Sequence, residues 1–127
     1  MAINNFILAT ALKLAKIQVI HSLPGRLRLK LPGLSRFKNN IKNHDESNLI
    51  PYKLKGILKV EVSVLTSKVL ITYDVQQVTE TEIVNWMSRL REILVKKLMS
   101  GNDFQSQEVT EEILSELKND GYEMEKY

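Results

Sequence analysis

Cysteine is absent from this 127-residue chain. Its absence excludes disulfides, thiolate metal sites and a cysteine nucleophile. Histidine occurs twice, at His21 and His44, without the spacing of metal ligands. No metal site and no cofactor are therefore expected. No apolar run reaches the roughly 20 residues that a membrane-spanning helix requires. There is no Ser/His/Asp arrangement, no glycine-rich phosphate loop and no carboxylate pair with a reason to be close, so a non-catalytic protein is expected. No unit repeats at solenoid period. With no need for disulfides and no secretory signal, the expected location is cytoplasmic.

What is present is an ordinary globular composition at the usual length of one domain, enough to bury a core without staples. The net charge of +3 conceals an asymmetry. Met1 to Val60 carries 11 Lys+Arg against 2 Asp+Glu, a balance of +9, while Glu61 to Tyr127 carries 7 against 13, a balance of −6. Either the basic half offers a surface to an anionic partner, or the two halves attract each other within the fold.

The stretch His21 to Gly33 organises the rest. From Arg26 to Leu31 it alternates strictly, with Arg26, Arg28 and Lys30 on one side and Leu27, Leu29 and Leu31 on the other. A strand has a side-chain period of two, so this run makes one apolar and one cationic face. Pro24-Gly25 and Pro32-Gly33 bracket it as turns. The leucines need a covering layer; the cations need water or an anion.

Ala2 to Lys16 reads as a short amphipathic helix, with Phe6 and Leu8 on its apolar side and Lys13 and Lys16 near its end. Such a helix can rest on a membrane surface, its lysines toward lipid phosphates, or pack on a partner or a second copy. Ile17 to Leu23 is extended and forms, with the Arg26 run, one strand or a bent pair. Leu34 to Ile41 reads as a helix and Asn43 to Asn48 as a polar loop. Pro51 suits the start of a helical turn before Gly56. Leu58 to Val64 alternates, with Leu58, Val60, Val62 and Val64 expected inward and Lys59, Glu61 and Ser63 outward. A short link at Leu65 to Ser67 makes Lys68 to Tyr73 its hairpin partner.

Thr79 to Leu98 is the clearest helix. Thr79 and Glu82 fit a capping box, the stripe Ile83, Trp86, Met87, Leu90, Leu94 and Leu98 suits core packing, and Glu92 can pair with Lys96. Val109 to Lys118 is a second amphipathic helix, with Thr110 as a candidate cap and Gly121 suited to its C-terminal stop. Tyr122 to Tyr127 alternates weakly, as an edge strand or a frayed end.

This order predicts an α+β fold of ferredoxin-like βαββαβ type, an antiparallel sheet with helices on one face, plus an N-terminal helix and an extra C-terminal helix. The expected divisions are 1–16 for the N-terminal helix, 17–99 for the core and 100–127 for the acidic tail. Arg26, Arg28 and Lys30, with Arg36 and Lys38 nearby, are the candidate anion- or partner-binding residues. Phe6, Leu8, Lys13 and Lys16 are the candidate membrane or partner contacts. An open basic sheet also suits single-stranded nucleic acid, although RNA-recognition sheets stack bases on aromatics and only Tyr73 is offered here.

Val19 to Leu29, with its Pro24-Gly25-Arg26-Leu27-Arg28 piece, resembles the entry strand of cysteine-less heavy-metal-associated domains. Lys55 to Val62 and Thr66 to Asp74 resemble the hairpin of the same domains, so the resemblance spans Ile17 to Leu98. Ile113 to Glu123, with Gly121-Tyr122, looks like the last helix and strand of the ordinary metal-binding form. That form holds a soft metal in Cys-x-x-Cys after the first strand; here the region is Leu31-Pro32-Gly33-Leu34-Ser35-Arg36. Copper(I) carriage by that route is thereby ruled out, because soft metals need sulfur. What the resemblance implies is company: a metal-transporting P-type ATPase as partner, in metal-ion homeostasis with iron among the candidate metals. The basic strand and the N-terminal helix add an anionic membrane surface or a second copy as further candidate partners.

Overall fold

The computed structural model describes residues 16–32, 52–63, 65–100 and 107–126. The helix expected over 2–16, except Lys16, the helix expected over 34–41 and the loop over 43–48 lie outside those residues, as do Phe6, Leu8, Lys13, Arg36, Lys38 and Val64.

Within them run β1 (Gln18–Leu23), β2 (Arg26–Lys30), β3 (Tyr52–Leu54), β4 (Ile57–Ser63), β5 (Lys68–Tyr73), α1 (Glu80–Met99), α2 (Gln107–Asn119) and β6 (Met124–Lys126). β1 turns back through Pro24-Gly25 into β2, so the extended entry segment is an antiparallel hairpin. Proline pre-sets one central residue of that turn and Gly25, at φ +79, supplies the left-handed one. β4 and β5 form the second hairpin. Together the four strands make one antiparallel sheet in the order β1-β2-β5-β4.

Two features depart from the expected topology. Of the two readings of the final segment, an edge strand or a frayed end, a strand forms at Met124–Lys126, but it pairs with β3 as a separate two-stranded sheet. The edge position beside β2 is filled by β1, because a hairpin closed through two residues loses far less entropy than a connection from the far end of the chain. Pairing with β6 also makes Tyr52–Leu54 a strand, not the helical turn expected after Pro51.

The core lies on one side of the main sheet. Leu27, Leu29, Val69 and Ile71 of the central strands share one buried cluster with Ile83, Trp86, Leu90 and Ile93 of α1 and with Ile113 and Leu117 of α2. Trp86 Nε1 is buried there and finds no hydrogen-bond partner among the described residues; a donor left unpaired costs about 1–3 kcal/mol against the gain from burying the ring. β4 follows its alternation from Val60 onward, but Leu58 is 62 % exposed and Ile57 is buried instead. An irregular register between Ile57 and Lys59 causes the reversal: a bulge turns the extra residue away from its period-two place.

α1 is capped by Thr79, whose Oγ accepts from the Glu82 N–H at 3.2 Å and donates to the Glu82 carboxylate at 3.2 Å. Glu92 pairs with Arg89, one turn back, at 3.6 Å instead of with Lys96. α2 begins at Gln107, so Thr110 is no cap; it is buried inside the helix and donates to the Gln107 carbonyl at 2.9 Å. Gly121, at φ +93, ends α2: its N–H reaches the Lys118 carbonyl and the Tyr122 N–H reaches that of Leu117, the paired arrangement that satisfies orphan carbonyls at a helix end.

The end of β5 is fastened at two turns. The Gly25 carbonyl accepts from the Tyr73 N–H at 2.9 Å, and the Gly56 carbonyl from the Asp74 N–H at 2.8 Å. Gly56 has φ +97, and a Cβ there would lie 2.9 Å from the buried Val78 side chain.

Candidate anion-binding face

Strand register carries the cations of β2 into a two-dimensional array. Arg28 stands between His21 of β1 and Leu70 of β5, and Leu70 is followed by Glu61 of β4. Lys30 stands between Gln18 and Lys68, and Lys68 is followed by Ser63. Arg26 stands between Leu23 and Thr72, and Thr72 is followed by Lys59. Strands lie about 4.8 Å apart and every second residue of a strand shares a face, so these three rows tile the side opposite the core.

Arg26, Arg28 and Lys30 are all exposed, while Leu27 and Leu29 between them are wholly buried. Among the described residues the face thus gathers Arg26, Arg28, Lys30, Lys59 and Lys68 against the acid Glu61. Glu61 is already paired with Lys59 at 3.1 Å. Among the described residues no ion pair is made by Arg26, Arg28, Lys30 or Lys68. Lys30 and Lys68 are direct cross-strand partners, a juxtaposition of like charges that weakens a sheet unless solvent or an anion screens it. Guanidinium forks and ammonium groups so arranged suit carboxylate or phosphate.

Lys59 and Lys68 were missing from the sequence-derived site. The alternation Lys68, Leu70, Thr72 was visible, but the pairing of Lys68 with Lys30 depends on a register that neither strand states alone. Lys16, just before β1, is exposed; the other expected membrane contacts lie outside the described residues.

The acidic tail is engaged elsewhere. Glu123 and Glu125 pair with Lys55 and Lys53 beside and within β3, at 3.4 and 3.7 Å. Glu112 of α2 pairs with Lys97 of α1. Asp120 lies 2.5 Å from Arg89, with Glu116 at 4.0 Å. The hydrogen bond to Asp120 holds the Arg89 guanidinium above its ordinary range, burial opposes it, and the charges of Asp120, Glu92 and Glu116 add to the rise. Burial pushes Arg91 down, with Glu92 opposing. The Tyr52 phenol, 3.2 Å from Glu111, is raised first by lost hydration, then by that hydrogen bond and by the carboxylate charge. The two halves of the chain therefore do attract each other, at β3 and β6 and through Lys59 and Glu61 of β4, and among the described residues that attraction does not reach β2.

Two other chemistries fit the face poorly. Tyr73 is buried on the core side, so no aromatic of the central strands β2 and β5 lies on the cationic side for a base to stack on. Heavy-metal ligation is not supported by the donor set: the chain has no thiolate, and no group of three His, Cys, Asp or Glu is placed to hold a metal among the described residues. No helix among those residues is long and apolar enough to cross a membrane.

Comparison with family models gives one finding: the model described as heavy metal associated domain 2 matches residues 4–125. Comparison with curated proteins and with solved structures finds no match.

Proposed function

The chain belongs to the heavy metal associated domain 2 family, and from that premise we propose that it is a non-catalytic accessory module of metal-ion handling that docks an anionic partner on its open basic sheet. The family name points to a metal, yet the residues present do not fit a soft-metal centre, since such ions are held by sulfur. The metal is then the business of the partner. A metal-transporting P-type ATPase, with iron among its candidate cargoes, is the partner in this reading, and a cytoplasmic, membrane-peripheral location follows from it. Ferredoxin-like ancestry is part of the same proposal: β2, β4, β5 and α1 keep that order, with β1 in the place of the final strand.

One observation carries the reading. Arg26, Arg28, Lys30 and Lys68 share one sheet face and make no ion pair among the described residues, although the chain has acids to spare and spends them elsewhere. The test is a titration with polyglutamate and, separately, with single-stranded RNA, at low and high salt. Polyglutamate binding is expected to weaken as salt rises, because exposed charges are screened over about 8 Å at physiological ionic strength. Arg26→Ala/Arg28→Ala should weaken it by roughly fivefold or more, from ~1 kcal/mol of lost ion pairing. Unchanged binding in that double variant would refute the proposal; preference for RNA would favour phosphate-backbone recognition instead.

A further inference from the structure

We propose that β1 is a docking edge, which takes up an extended segment of the partner, alternating acidic and apolar residues, as a fifth strand of the sheet. This rests on the anionic-partner reading and adds to it a mode of binding and a pattern for the ligand.

The edge itself is the first observation. β1 is terminal in the sheet order, and all six of its residues are exposed. On its outer side no strand is paired among the described residues. Native sheets usually blunt such an edge with lysine or another charge. β1 reads Gln-Val-Ile-His-Ser-Leu and carries no Lys, Arg, Asp or Glu. The opposite edge, β4, does carry such charges in Lys59 and Glu61. The unprotected edge is also apolar: Val19 is 48 %, Ile20 44 % and Leu23 50 % exposed. Val19 pairs with Leu29, on the core side of the sheet, yet it is left half uncovered while Leu29 is fully buried.

The second observation is charge. The outward residues of β1 end the cationic rows: His21 beside Arg28, Gln18 beside Lys30 and the half-exposed Leu23 beside Arg26, none of them acidic. A strand added outside β1 would place alternate side chains at the ends of those rows, about 9.6 Å from β2 by two strand spacings. Arginine and lysine side chains extend far enough to meet a carboxylate there. The intervening side chains of the added strand would fall on the core side, over Val19. Acid on one face and apolar on the other is the complement of what β1 and its neighbour present. A second copy paired through its own β1 does not offer that complement, because that strand has no carboxylate. Main-chain hydrogen bonds would supply affinity and the alternating side chains selectivity, as in other strand-addition complexes.

The test uses the full chain and a synthetic peptide of alternating glutamate and valine, long enough to span β1. Its controls are the same peptide with lysine for glutamate, and two versions N-methylated at every glutamate or at every valine. The acidic peptide is expected to bind at least about tenfold more tightly than the lysine peptide and to slow amide exchange in β1. In an added strand only alternate N–H groups face the neighbour, so one N-methylated version should lose binding and the other keep it. Equal behaviour of the two versions overturns strand addition and leaves the anionic reading standing. Failure of the acidic peptide to bind, where polyglutamate binds, also overturns it. Loss of peptide binding in Ile20→Pro, with polyglutamate binding retained, supports it. Peptide and polyglutamate binding both unchanged in Arg26→Ala/Arg28→Ala removes the anionic reading itself. Formation of a dimer that excludes the peptide would assign the edge to a second copy and overturn the proposal.

Discussion

Replacing Gly56 by alanine should damage the protein far more than the same change at Gly121. Both glycines have positive φ, +97 and +93. An L side chain in the left-handed region costs roughly 1–2 kcal/mol, and that cost is common to both positions. The surroundings differ. A Cβ at Gly121 meets nothing within 4 Å, whereas one at Gly56 lies 2.9 Å from Val78 Cβ and Cγ1 and 3.1 Å from Gln77 Cβ. Val78 is only 3 % exposed and belongs to the core, so it has little room to yield. Such overpacking adds about 1–3 kcal/mol. Moving the turn to relieve it also stretches the 2.8 Å bond from the Asp74 N–H to the Gly56 carbonyl. The expected total is ~2–5 kcal/mol for Gly56→Ala, against ~1–2 kcal/mol for Gly121→Ala. At about 4 °C per kcal/mol for a domain of this size, the melting temperatures of the two variants should differ by several degrees. Urea titration followed through Trp86, the single tryptophan, reads the difference directly. Equal losses in the two variants, or a larger loss at Gly121, would refute the packing argument at Gly56.

Two further outcomes follow. Tyr52 is raised in the folded state, so its neutral form favours the fold. Its contribution is whole below the ordinary tyrosine range, near 10, and is lost as pH rises through the higher folded value. Tyr52→Phe should therefore flatten part of the alkaline fall in stability measured by urea midpoints, and an unchanged alkaline slope would refute a raised Tyr52 in the fold. Leu58→Ser should change stability by less than about 0.5 kcal/mol, as an exposed position does; a loss of ~2 kcal/mol or more would mean that Leu58 occupies the core after all.

β2 was legible because its two faces differ in kind: leucine against arginine and lysine leaves one way round. The opening of β4 was not, because Ile57 and Leu58 are equally apolar and only the pairing with Tyr73 and Thr72 decides between them. β3 was hidden because its partner lies at the other end of the chain, and three residues carry too little pattern to announce a strand. Thr110 looked like a cap because its helix was expected to start at Val109; the helix begins at Gln107, and the Thr110 hydroxyl donates back to the Gln107 carbonyl. The stripe on α1 was readable because it repeats over several turns, and Ile83, Trp86, Met87 and Leu90 are buried as read. Of the cationic face, the β2 residues were plain and Lys68 was not, since membership there is conferred by register.

The β3–β6 ladder has a consequence for how the chain matures during translation. The two main hairpins join segments close in sequence and can close while the ribosome is still at work, whereas Tyr52–Leu54 must wait for Met124–Lys126 to be synthesised. Until then β3 lacks its strand partner, and the small sheet becomes the last part of the described fold to lock.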